Sequence, residues 1–168
     1  RARLPRGGRS RGALWQLLAA GDVAVERIPR ARWDYEAIEE SAHAARYGGF
    51  ICATRFDSTR SALSAAEASL MDPQQRLVLE LASEALGTVG GDESVFVGIQ
   101  ANDFAEVGQQ QRRARESVYA VTSTNHAVAC GRVAYLLGLR GAAVSVNTAC
   151  SSALVAMHSA RAELPGVM

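Results

Sequence analysis

Two short runs, the nearly all-apolar SVFVGIQ (94–100) and the valine-bearing AAVSVN (142–147), each lie between stretches with helical spacing. That alternation constrains the fold more than any other feature. SVFVGIQ, β-branched and nearly all apolar, reads as a strand covered on both faces, and AAVSVN reads as a second strand. Strands alternating with helices imply an α/β fold with a mostly parallel sheet.

The helices carry their own punctuation. In MDPQQRLVLELASEAL, Asp72 fits an N-cap, Pro73 the first helical position and Gln75 the third position of a capping box. Leu77, Leu81 and Leu86 with Ala82 and Ala85 form the expected buried stripe, and Gly87 ends it. STNHAVACGRVAYLLGL reads as one further buried helix, with Ala127, Ala129 and Gly131 allowing close packing, and Gly138 to Gly141 turn the chain into the second strand. RGALWQLLAAGD reads as an amphipathic helix stopped at Gly21, with Leu14, Trp15, Leu17 and Leu18 as its apolar positions. Residues 23–60, with Pro29, Gly48 and Gly49, read as long loops with short pieces of structure.

The second strand leads directly into a cysteine: VSVNTACSSALVAMHSA. A helix running from about Cys150 to Leu164, stopped by Pro165 and Gly166, places the thiol beside unpaired backbone N–H groups and the positive end of the helix dipole. Both favour a thiolate, and the same N–H groups can hold the oxyanion of a thioester under attack. The small neighbours Ala149, Ser151 and Ser152 leave room for a substrate. Spacing alone leaves an inert buried cysteine equally open.

The histidines do not supply an evident base for this thiol. His158 lies eight residues along the same helix, roughly 12 Å away at ~1.5 Å per residue. His126 falls near the start of its helix at a distance the sequence does not give, and His43 falls in a loop. Cys130, among Ala129 and Gly131, reads as a core residue, and Cys52 as packing at a strand end. None of the three cysteines belongs to a CxxC pair, so no zinc site is expected, and an odd number suggests reduced thiols and a cytoplasmic setting.

Composition narrows the chemistry. All 18 basic residues of the 168 are arginine, which excludes lysine Schiff-base catalysis and the P-loop lysine in this chain. Hydrophobic residues make up 48% and charged residues 21%, the balance of a globular protein of about one domain. No apolar run approaches the ~18 residues that span a bilayer. Five arginines in RARLPRGGRSR leave three readings: a nucleic-acid arm, a targeting peptide or a solvated loop. No clustered basic or aromatic motif elsewhere supports nucleic-acid binding.

These motifs together resemble the β-ketoacyl synthases, especially the ketosynthase domains of modular type I polyketide synthases. NTACSSALVAMHSA is similar to the nucleophile segment Asp-Thr-Ala-Cys-Ser-Ser-Ser-Leu-Val-Ala-Leu-His. MDPQQRLVLELASEAL resembles the family's most recognisable helix. RLPRGG, LWQLLAAGDVAVERIPRARWD, VFVGIQANDF and CGRVAYLLGLRGAAVSVNTACSS follow in the family's order. The resemblance implies a thiolase-like fold, with residues 1–168 forming the N-terminal half of the domain, its first strand and C-terminal half absent. It implies that Cys150 accepts an acyl group from a thioester and that the Cys150 N–H forms part of the oxyanion hole. The reaction would be a decarboxylative Claisen condensation with a malonyl-type extender on acyl carrier protein, in polyketide or fatty acid biosynthesis. Substrates would arrive on phosphopantetheine, with no bound cofactor or metal, no nucleic acid and no membrane partner. Asp72 to Arg76 would be structural, and the helix and strand before Cys150 would lie near a homodimer interface. The arginine-rich start aligns with the end of the family's first strand, which argues against a targeting peptide.

Departures from the pattern accompany the match. The family's two histidines and supporting lysine lie well downstream of the cysteine, whereas this chain ends eighteen residues after Cys150. Asn147 stands where an aspartate is usual, the aromatic pair expected near Ala62 and Leu63 is missing, and ARAELPG leaves the pattern. The alternative expectation is therefore a catalytically incomplete fragment or a non-catalytic dimerisation partner of the same fold.

Overall fold

The computed structural model describes residues 4–5, 10–32, 34, 46–53, 55–61, 63–87, 90–101, 103–110 and 116–164. His43, Ala62, Pro165 and Gly166 lie outside them. The chain forms two compact units, Arg1–Ala53 and Thr54–Met168.

In the first unit, helix α1 (Arg11–Ala19) begins at Ser10, whose Oγ accepts from the Ala13 N–H at 3.1 Å. It ends before Gly21, which takes φ +64°. Leu14 and Leu17 are half-buried, but Trp15 and Leu18 are exposed, so only half of the expected apolar stripe is covered within the unit. Strands β1 (Glu26–Arg27) and β2 (Tyr47–Gly48) pair antiparallel, and buried Ile28 extends the pairing by donating to Arg46 O. The Arg32 guanidinium lies over the Phe50 ring and donates to Ile51 O.

The second unit opens with helix α2 (Ala65–Leu70), capped by Ser64 Oγ accepting from the Glu67 N–H. Helix α3 (Pro73–Leu86) follows. Asp72 caps it as expected, its carboxylate accepting from the Gln74 N–H at 2.7 Å. Gln75 does not complete a capping box: the Asp72 N–H donates instead to Ser123 O. Gln75 is 1% exposed, and its amide donates to Thr122 O and Asn125 O.

That buried glutamine also shifts the phase of the helix. The face turned inward carries Gln75, Val78, Leu79 and Ala82, spaced i, i+3, i+4, i+7, while Leu86 and Ala85 are exposed and Leu77 and Leu81 are half-buried. The expected stripe follows the leucines; the packed one includes a polar residue that works as a tie.

Strands β3 (Val95–Gly98) and β4 (Ala143–Val146) pair in parallel, with Val95 opposite Ala143 and Gly98 opposite Val146. Between them come α4 (Asp103–Gln110), α5 (Ala120–Thr124) and α6 (Ala127–Leu137). The single helix expected over 123–137 is two helices. Asn125 breaks it, because its Oδ1 accepts from the Ala127 N–H and starts a new helix there. Of the three small residues, only Ala129 is packed; Ala127 and Gly131 face outward.

Helix α7 (Ser152–Ala162) is the last helix among the described residues. Alternate residues of β3 point to opposite faces. Val95, Val97 and Ile99 pack with Ala129 and Cys130 of α6 and Val78 of α3. Gly98 meets α7 on the other side. β3 is thus covered on both faces, as its composition implied. A second cluster of Met71, Leu79, Val133 and Leu137 joins α3 to α6, and Val78 and Val95 link the two clusters.

Candidate active site

The turn between β4 and α7 is built from its own polar side chains. Asn147 Oδ1 accepts from the Ala149 N–H at 3.2 Å. Ser151 Oγ donates to Thr148 O at 2.7 Å, and Ser152 Oγ accepts from the Thr148 N–H and donates to Ala149 O. These bonds wind Ala149–Ser151 into one 3₁₀ turn ahead of the α-helix. The expected start at Cys150 is therefore corrected: α7 begins at Ser152, and Cys150 lies in the 3₁₀ turn that precedes it.

Ala149 takes φ +54°. For a residue with a Cβ this conformation costs about 1–2 kcal/mol. The hydroxyl and amide bonds around it hold it there. The result is a sharp reversal with Cys150 exposed at its crest. None of the bonds that form the turn uses the Cys150 thiol or N–H. Asn147 supplies the acceptor that an aspartate would, so its substitution preserves the turn.

Gly98 sets the position of this turn against the sheet. A Cβ at 98 would lie 2.7 Å from Ala153 N and Ser152 C, and 2.8 Å from Ala153 Cα. The first turn of α7 therefore rests directly on the backbone of β3. Sequence reasoning missed this residue, although a glycine closing an apolar strand is a signal of close backbone approach.

The other candidate residues lie elsewhere. His126 Nε2 is 3.8 Å from Asp72 Oδ2, and the two side chains are 17% and 2% exposed. Ser145 Oγ donates to His126 O, which places this histidine on the α6 side of the sheet. His158 is exposed on α7. Cys130 is buried, with Sγ 3.4 Å from Ala127 O, the core residue its neighbours implied. Cys52 is exposed, not packed at a strand end.

Asp72 is bonded within the fold, its carboxylate to the Gln74 N–H and its own N–H to Ser123 O. Arg76 is held below its ordinary pKa by burial, with the Asp72 carboxylate pulling the other way. Arg132 pairs with Glu67, joining α6 to α2. Among the described residues, no group of three or more His, Cys, Asp and Glu side chains could hold a metal ion. No described helix is long and apolar enough to cross a membrane.

Residues 1–165 match the family described as Beta-ketoacyl synthase, N-terminal domain.

This chain belongs to the β-ketoacyl synthase family.

Its relatives are polyketide synthases. It is 41% identical over a 163-residue alignment to a phenolphthiocerol/phthiocerol polyketide synthase of Mycobacterium tuberculosis, covering 88% of this chain and 9% of that protein. It is 37% identical to a mycocerosic acid synthase-like polyketide synthase of Mycolicibacterium smegmatis, covering 94% of this chain and 8% of the relative. Among solved structures, the ketosynthase from module 6 of the bacillaene synthase of Bacillus subtilis 168 superposes with a TM-score of 0.77 at 28% identity, over 96% of this chain and 28% of that one. An oxazolomycin ketosynthase domain of Streptomyces albus JA3453 gives 0.77 at 27% identity, over 94% and 29%. The ketosynthase chain thus spans less than a third of those solved chains and under a tenth of those two curated relatives. Its fold is thiolase-like, in the N-terminal part that the family description names.

Proposed function

We propose that Cys150 is the acyl-accepting nucleophile of a polyketide-type ketosynthase, and that residues 1–168 are the N-terminal part of that domain. The observation that carries the reading is the turn itself. Ala149 at φ +54° and the bonds among Asn147, Thr148, Ser151 and Ser152 hold an exposed thiol at the crest of a strand–helix reversal. Attack on an acyl thioester forms the bond from Cys150 Sγ to the carbonyl carbon and releases the carrier thiol. The Cys150 N–H, unused by the turn, is suited to the developing oxyanion. The acylated enzyme then condenses with a malonyl-type extender that loses carbon dioxide. Acyl carrier protein delivers both groups on phosphopantetheine, and the chain works as a homodimer.

A second reading, a non-catalytic dimerisation module, draws on Leu154 and Met157, exposed on the outer side of α7. Acylation separates the two. The protein is incubated with hexanoyl-N-acetylcysteamine thioester and digested for mass spectrometry. One hexanoyl group on the Cys150 peptide, absent after Cys150→Ala, supports the ketosynthase reading; an unmodified Cys150 supports the second.

A further inference from the structure

We infer that Gln74 is a positioning residue that shapes the wall beside the acyl-acceptor turn; the inference rests on Cys150 being that acceptor. Strand register brings the two places together. Gly98 of β3 lies opposite Val146 of β4, and the Ile99 N–H donates to Val146 O at 3.0 Å, carrying the pairing one residue past the strand end. Three residues beyond Gly98 stands Ala101 at φ +68°, and three beyond Val146 stands Ala149 at φ +54°. Among the described residues these are the only non-glycines with positive φ. The two left-handed turns leave neighbouring strands, about 4.8 Å apart, at the carboxyl edge of the sheet. That edge is where crevices for ligands form in α/β folds.

A side-chain amide holds each turn. At Ala149 it is local: Asn147 Oδ1 accepts from the Ala149 N–H. At Ala101 it comes from far along the chain. Gln74 Nε2, in the first turn of α3, donates to Ala101 O at 2.9 Å. Gln74 is itself fixed by Asp72, whose carboxylate accepts from the Gln74 N–H at 2.7 Å and stands 3.5 Å from its amide. Asp72 is 1% exposed. A buried cap therefore reaches through one amide to a strained loop, and that loop follows the strand paired with the one that leads to Cys150. A left-handed alanine persists only where its surroundings over-determine it. Gln74 supplies such a tie at Ala101, and it thereby helps set the shape against which an acyl chain on Cys150 lies, without touching that chain.

The test compares wild type, Gln74→Ala and Gln74→Glu, with Cys150→Ala as the mapping control. Two reagents are used. Hexanoyl-N-acetylcysteamine thioester transfers its acyl group: Sγ of Cys150 bonds to the carbonyl carbon, the bond to the N-acetylcysteamine sulfur breaks, and the proton from the cysteine passes to the departing thiol. Iodoacetamide is small and alkylates the thiol with loss of iodide. Both Gln74 variants are expected to slow Cys150 acylation about tenfold or more, with alkylation of the same residue staying within about twofold. Glu is the decisive variant, being the same size as Gln but lacking the N–H that Ala101 O accepts. Acylation of Gln74→Glu at the wild-type rate overturns the inference, and so does a parallel loss with both reagents, which marks general loosening. An unacylated Cys150 in the wild type overturns the proposed function and this inference with it. That result is read before any variant is compared.

Discussion

Gly98 of β3 and Ala153 of α7 are in backbone contact, with no space between them for a side chain: a Cβ at 98 would come within 2.7 Å of the Ala153 nitrogen. Rotamer changes cannot relieve such a contact, since every atom met is main chain. Gly98→Ala is therefore expected to push α7 from the sheet, lowering stability by about 1–3 kcal/mol. It should also displace the Cys150 turn. Urea titration gives the first effect, and acylation of Cys150 the second.

Ala149 makes the opposite case. Glycine adopts positive φ without steric penalty, so Ala149→Gly should leave the unfolding free energy, read by urea titration, within about 1 kcal/mol of wild type. Ala149→Val places a β-branched side chain at φ +54° and is expected to lose well over that amount. Equal stability of the two variants would show that the turn is not held where the structure places it.

The α3 cap offers a graded test. Asp72→Ala removes the acceptor for the Gln74 N–H in a buried setting and is expected to cost about 2 kcal/mol, the upper end for an N-cap. Asp72→Asn keeps an acceptor oxygen and should recover more than half of the loss. Thermal melting of the three proteins checks the order.

These caps also show what the sequence made legible. The Asp72–Pro73 start of α3 followed from local chemistry, because both residues act within one helical turn. The inward face of α3 did not, because Gln75 is buried for the sake of Thr122 and Asn125, nearly fifty residues away. Asn125 hid a helix break inside an apolar pattern by capping Ala127 with its side chain. The strand–cysteine–helix order was visible in composition. The 3₁₀ turn that moves the helix start to Ser152 arises from hydroxyl bonds that no periodicity reports. Ser64 and Glu67, by contrast, have the spacing of a cap that local chemistry alone makes readable.

Glu67 pairs with Arg132 at a site where both side chains are less than one-fifth exposed. Breaking the pair leaves a guanidinium mostly out of water, so Glu67→Ala is expected to cost about 3 kcal/mol. The loss should persist in high salt, because partly buried pairs are poorly screened. Urea titrations at two ionic strengths provide the comparison, and a loss that vanishes with salt would mark the pair as a surface one.

Thiol accessibility separates the cysteines. Cys150 and Cys52 are exposed, while Cys130 is packed against Val97 and Ile99. Iodoacetamide should modify the first two in the native protein and reach Cys130 only on unfolding. Peptide mapping of a timed alkylation reads this directly.

The central claim is that the turn from β4 to α7 holds Cys150 as an acyl acceptor. Its most direct test is the mass of the Cys150 peptide after incubation with hexanoyl-N-acetylcysteamine thioester. A single hexanoyl adduct on Cys150 is expected, lost in Cys150→Ala and strongly reduced in Gly98→Ala. An adduct confined to Cys52, or no adduct at all, would contradict it.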